Sequence, residues 1–172
     1  MNTSSLRGLL LDLMACVMSC ACATGHEASP AAPSTSGSGP TPVHEAMAVL
    51  GAAEVFATGP VYEGAMRLPE VDAFASLLAQ PHAAVHFQEL FRSATTAGRV
   101  YALCGLWLTD QASYATASEQ LARANVGVEY MRGCHGQWTP VQELIVSAHP
   151  GDPDIGGGAL PKALEAYAVG LP

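Results

Sequence analysis

Between Thr24 and Pro42 the chain reads TGHEASPAAPSTSGSGPTP, with no large apolar side chain anywhere in it. A segment with so little surface to bury cannot offset the entropy lost on ordering, so residues 24–42 read as a flexible Pro/Ser/Gly linker. Any core must therefore be built from residues beyond Pro42. In a chain of 172 residues that leaves room for one small domain, expected over 43–148, and a Gly- and Pro-rich tail over 149–172. With 49% hydrophobic and 13% charged residues, the composition supports a real core.

Ahead of the linker, MNTSSLR is polar and GLLLDLMACVM is almost wholly apolar. The apolar run is shorter than the roughly 20 residues needed to span a bilayer. A short positive region, a brief apolar region and small residues make an export signal, expected over 1–23. Two cleavage readings stand side by side. Val17-Met18-Ser19-Cys20 resembles the lipobox of bacterial lipoproteins, and Leu13-Met14-Ala15-Cys16 resembles it nearly as well. The resemblance implies lipid on Cys20, or alternatively on Cys16. Alternatively, Ala21-Cys22-Ala23 is an A-x-A site, and cleavage there leaves Cys104 and Cys134 as an even pair.

The domain reads as mainly α. Ala46, Val49, Leu50 and Ala53 recur at helical spacing in a helix expected to run through VHEAMAVLGAAEVFA, and TGPVYEGAM breaks it as a loop or a short extended piece. Pro69 suits a first helical position, ahead of a stripe of Val71, Phe74, Leu77 and Leu78. Pro81 ends that helix and begins another, with Val85, Leu90 and Phe91 toward the core. Thr95 or Thr96 caps a third, in which Val100, Leu103, Cys104 and Trp107 share a face. Thr109 and Asp110 cap a fourth, making a tight turn between antiparallel helices.

The stretch AGRVYALCGLWLTDQASYATASEQLA, residues 97–122, resembles a HEAT-type helical repeat. Arg99 opens its first helix, small and large residues alternate at Ala102-Leu103 and Gly105-Leu106, and Asp110 lies in the turn. The resemblance covers about one repeat and implies helical-hairpin packing. After Asn125, Val126, Val128 and Tyr130 alternate with Gly127, Glu129 and Met131, which predicts one or two short strands near 126–134. TPVQELIVSA returns as a helix or a second strand, with Thr139-Pro140 favouring a helix start, and the tail ends in a weak helical turn around 162–168.

Several classes of function are disfavoured. The net charge is −8, and the basic residues are scattered singly, so nucleic-acid binding is not expected. Gly-x-Ser-x-Gly is absent, and Glu54, Glu63, Glu129 and Glu143 have no evident catalytic helper. GDPDIGGG has Asp152 and Asp154 but Ala163 where a calcium loop needs its bidentate Glu. Trp107, Trp138, Tyr62, Tyr101 and Tyr130 default to core packing.

Two pairs carry chemistry. Cys104 and Cys134 are expected to form a disulfide in an oxidising compartment. His82 and His86, four apart in a helix, have the spacing of paired metal ligands, although Ala83 stands where a zinc protease has its Glu. No cofactor is implied. The expected protein is an exported, lipid-anchored bacterial envelope protein, or a soluble periplasmic or secreted one, whose helical domain binds or scaffolds a protein partner. The alternative is a metal-binding protein or metal-dependent enzyme using His82 and His86.

Overall fold

In a computed structural model describing residues 41–62, 66–146 and 158–170, the domain is mainly helical with a small mixed sheet. The order is α1 (Val43–Gly51), β1 (Val55–Val61), α2 (Pro69–Leu78), α3 (Ala83–Ser93), α4 (Thr96–Thr109), α5 (Gln111–Arg123), β2 (Gly127–Gly133), β3 (His135–Pro140), α6 (Val141–Val146) and α7 (Ala159–Val169). The segment expected to be an export signal, with Cys16 and Cys20, lies outside the described residues, as do Asp152 and Asp154.

The helix starts are set by local chemistry. Pro69 is at the first turn of α2, with Glu70 and Asp72 beside the positive end of its dipole. The Thr95 hydroxyl accepts from Gly98 N–H at the start of α4 and donates to Ala53 O. Asp110 accepts from Ala112 N–H and Ser113 N–H at the start of α5. The Ser113 hydroxyl and the Gln88 amide also donate to that carboxylate. The side-chain bond from Ser113 leads these contacts in holding Asp110 below the usual carboxylate range.

α4 is the centre of the fold. Every described residue from Val100 to Leu106 is buried, and α1, α2, α3, α5, α7, β1 and β2 all pack on it. Two glycines let neighbours this close. A Cβ on Gly105 would fall 2.4 Å from the Phe87 ring of α3, and one on Gly98 would meet Leu50 O of α1 at 2.3 Å. Aromatic rings fill the rest: Phe74 and Phe87 lie 5.4 Å apart, and Phe56 meets Tyr101 edge-on at 4.8 Å.

The sheet order is β1-β2-β3, with β1 parallel and β3 antiparallel to the central β2. The parallel pair needs a long crossover, supplied by α2 to α5. Alternation divides the two faces. Phe56, Val128 and Tyr130 join the helical core, whereas Ala57, Val61 and Met131 form a separate small cluster with Val55 and Leu68. β1 is an edge strand, and its Ala57 N–H donates to the Tyr101 hydroxyl at 3.1 Å while that hydroxyl donates back to Ala57 O at 3.4 Å.

The structure corrects several expectations. The first helix stops at Gly51, and Val55–Val61 is a strand rather than helix and loop. Phe87, not Val85, faces the core from α3; Val85 is exposed. A strand, β3, runs from His135 to Pro140, across the Thr139-Pro140 step expected to start a helix. The supposed tail holds α7, whose Leu160, Leu164 and Ala168 are buried in the main core. Arg67 secures α7: its guanidinium donates to Tyr167 O and Ala168 O, both at 2.6 Å, and pairs with Asp72.

Leu164→Ala is expected to cost about 2–5 kcal/mol in urea unfolding; a loss within about 0.5 kcal/mol would put α7 outside the core. Because its folded-state pKa is depressed, Asp110 contributes stability that is present above the ordinary aspartate value and lost as pH falls through the lowered one. Asp110→Ala therefore lowers the urea midpoint at neutral pH, and the gap from wild type closes as the pH is taken down through the acid range.

Candidate binding surface

One face of the sheet joins the helical core. The other buries Ala57, Val61 and Met131 in a small cluster and is exposed, among the described residues, at Glu129, Gly136 and Trp138. Glu129 on β2 and Trp138 on β3 are directly opposed in an antiparallel pair, so they share that face. Val55 on β1 is register partner to Glu129. The Trp138 indole lies over Gly127, where a Cβ would come 2.4 Å from its Nε1, and the Glu129 carboxylate leans over Gly136. Trp138 is nonetheless 74% exposed.

Two depressions adjoin this face. One, of about 240 Å³, is lined by Glu54, Thr95, Thr96, Gly127 and Trp138, among others. The second, of about 310 Å³, is lined by Glu54, Val55, Val61, Tyr62, Glu70 and Met131, among others. Glu54 belongs to both. Tyr62 is 52% exposed, and Met66, bridged to Val61, is 57% exposed. Three of the largest exposed apolar side chains thus lie on or beside the sheet. Glu70 Oε2 is buried and has no hydrogen-bond partner among the described residues.

A further groove of about 440 Å³ runs between α3 and α5. Its polar wall is partly committed, since Gln88 donates to Asp110 and to Ser113 Oγ.

The expected site residues fall elsewhere. Cys104 and Cys134 are both free: Cys104 is sealed within α4, and Cys134 is exposed in the turn between β2 and β3. The expected disulfide is therefore not formed; one partner is locked in the helical core and the other stands out at a hairpin tip. Burial alone pushes the Cys104 thiol well above its ordinary value. His82 and His86 do not share a helical face, because His82 caps α3 from outside it with φ 61° and only His86 lies within the helix. Among the described residues no group of three or more His, Cys, Asp and Glu side chains is placed to hold a metal ion.

Tyr101 and Tyr130 are core residues as expected, but Trp138 and Tyr62 are not. The sequence signal for Trp138 is Gly127, whose missing side chain leaves room for the indole on the strand surface. No protein-family model, curated protein or solved structure matches the chain.

The two thiols should separate by accessibility. Iodoacetamide is expected to alkylate Cys134 in the native protein and Cys104 only after unfolding, read by peptide mass; equal native labelling would contradict the burial of Cys104.

Proposed function

We propose that the chain is an exported bacterial envelope protein, held to a membrane by lipid on Cys20 or alternatively Cys16, whose domain binds a protein partner. The signal-like residues 1–23 and the apolar-poor linker 24–42 support the address and the tether. Among the described residues no helix is long and apolar enough to cross a membrane, so the lipid is the attachment this reading assigns. Cleavage at Ala21-Cys22-Ala23 would give a soluble exported form with the same domain. The HEAT-like hairpin of α4 and α5 serves in this reading as scaffold, and the sheet carries the contact surface.

The single observation behind the binding role is the exposure of Trp138 at 74% on a sheet face shared with Glu129. Large aromatics left in water on a rigid element are characteristic of contact surfaces, where they act as anchors. Trp138→Ser should leave the unfolding free energy, read by urea titration, within about 0.5 kcal/mol of wild type.

The test combines two measurements on protein extracted from bacterial envelope in detergent. Intact mass is expected to show loss of residues 1–19 and gain of a diacylglyceryl group. Chemical crosslinking before extraction is expected to join wild type, but not Trp138→Ser, to a partner. An unmodified chain retaining its first residues would overturn the anchor, and identical crosslinking of both proteins would overturn the binding surface.

A further inference from the structure

The described residues lining the two depressions beside this sheet face carry one sign of charge: the acids are Glu54 and Glu70, and none of the described lining residues is basic. Glu129 adds a third carboxylate directly opposite Trp138. Arg67, which leads into α2, is occupied by Asp72 and the last carbonyls of α7. The buried Glu70 Oε2 is an acceptor without a donor among the described residues, an arrangement that costs free energy until a donor arrives.

The face also has a free edge. β3 pairs only with β2 among the described strands, and all its residues but Thr139 are exposed. An edge strand offers a row of unpaired backbone groups to another extended chain.

We infer that this surface takes an extended basic segment of a protein partner, which adds to the β3 edge and lays a Lys or Arg side chain over Trp138 beside Glu129 and Glu54. The inference rests on the reading of this face as the partner-binding surface and names the chemistry of what binds there. Trp is the best aromatic acceptor for a cation, and flanking carboxylates add charge-assisted hydrogen bonds. Side chains alternate in a strand, so the basic residues must recur at every second position of the segment. The net charge of −8 draws such a segment in before contact. A second copy of this chain would bring the same acidic face, which argues against self-pairing here.

The test uses the full-length protein and two fluorescein-labelled peptides of about nine residues, long enough to pair along all of β3. One alternates Lys with Thr and the other Glu with Thr, and binding is read by fluorescence anisotropy. The Lys peptide is expected to bind, more weakly at high salt, and the Glu peptide is not. Trp138→Ser, and separately the pair Glu54→Gln with Glu129→Gln, should each weaken Lys-peptide binding about tenfold or more. Glu119→Gln on α5, whose carboxylate pairs with Arg123, should leave it unchanged.

Equal affinity for the two peptides would overturn the inference, as would indifference to Trp138→Ser or a self-associated form in sedimentation that this substitution dissociates. Failure of the underlying reading looks different: the envelope crosslink then survives Trp138→Ser whatever the peptides do. If the crosslink depends on Trp138 while the Lys peptide shows no preference, only the basic segment is overturned.

Discussion

A helix with no solvent-facing stripe must be met by protein on every side, and α4 is such a helix from Val100 to Leu106. Its neighbours can approach only because Gly98 and Gly105 remove the side chains that would hold α1 and the Phe87 ring away. The same helix stabilises the sheet. Tyr101, fully buried, uses one hydroxyl to occupy both main-chain groups of Ala57 on an edge strand. Without it, a buried N–H and C=O would lose their partner, at about 1–3 kcal/mol for each unsatisfied group. Burial raises the pKa of that phenol, so it stays neutral and able to both give and accept a proton bond.

Building everything around α4 leaves the sheet one-sided. Parallel strand pairs are usually covered on both faces because their crossovers supply helices to each. Here the crossover from β1 to β2 places its helices with the main core, where Phe56, Val128 and Tyr130 point. The opposite face keeps only a small cluster of Ala57, Val61 and Met131, partly roofed by Leu68. Exposure of Trp138 follows from this topology, since among the described residues the helices lie with the main core on the other side of the sheet.

The sequence was readable where a local rule decided the outcome. Thr95 and Asp110 cap the helices they were expected to cap, Pro69 opens α2, and Val128 and Tyr130 alternate in a strand. It was misleading where tertiary contacts decide. Val55 and Phe56 continue the helical spacing of α1, yet pairing with Glu129 and Tyr130 makes them strand. α7 comes after a Gly- and Pro-rich stretch and looked weak by itself; Arg67, about a hundred residues away in sequence, and the core pocket for Leu164 secure it. The cysteines misled for a related reason, since counting pairs says nothing about one thiol being walled into a core. Of the candidate surface, Trp138, Tyr62, Glu54 and Glu129 each stood out as residue types, but only the register brings Trp138 and Glu129 together.

An exposed indole is a liability unless something restrains it, and the sheet supplies that restraint. Gly127 lets the Nε1 side of the Trp138 indole rest against the strand, so part of the ring is packed while the rest meets solvent. The ring is thereby held in place before any partner arrives, and less side-chain entropy remains to be lost on binding. The carboxylates of Glu54 and Glu129 beside it keep the patch hydrated and disfavour nonspecific apolar association. In the proposed reading, positive charge brought in by a partner would complement these carboxylates, so the same groups would favour one ligand chemistry over another.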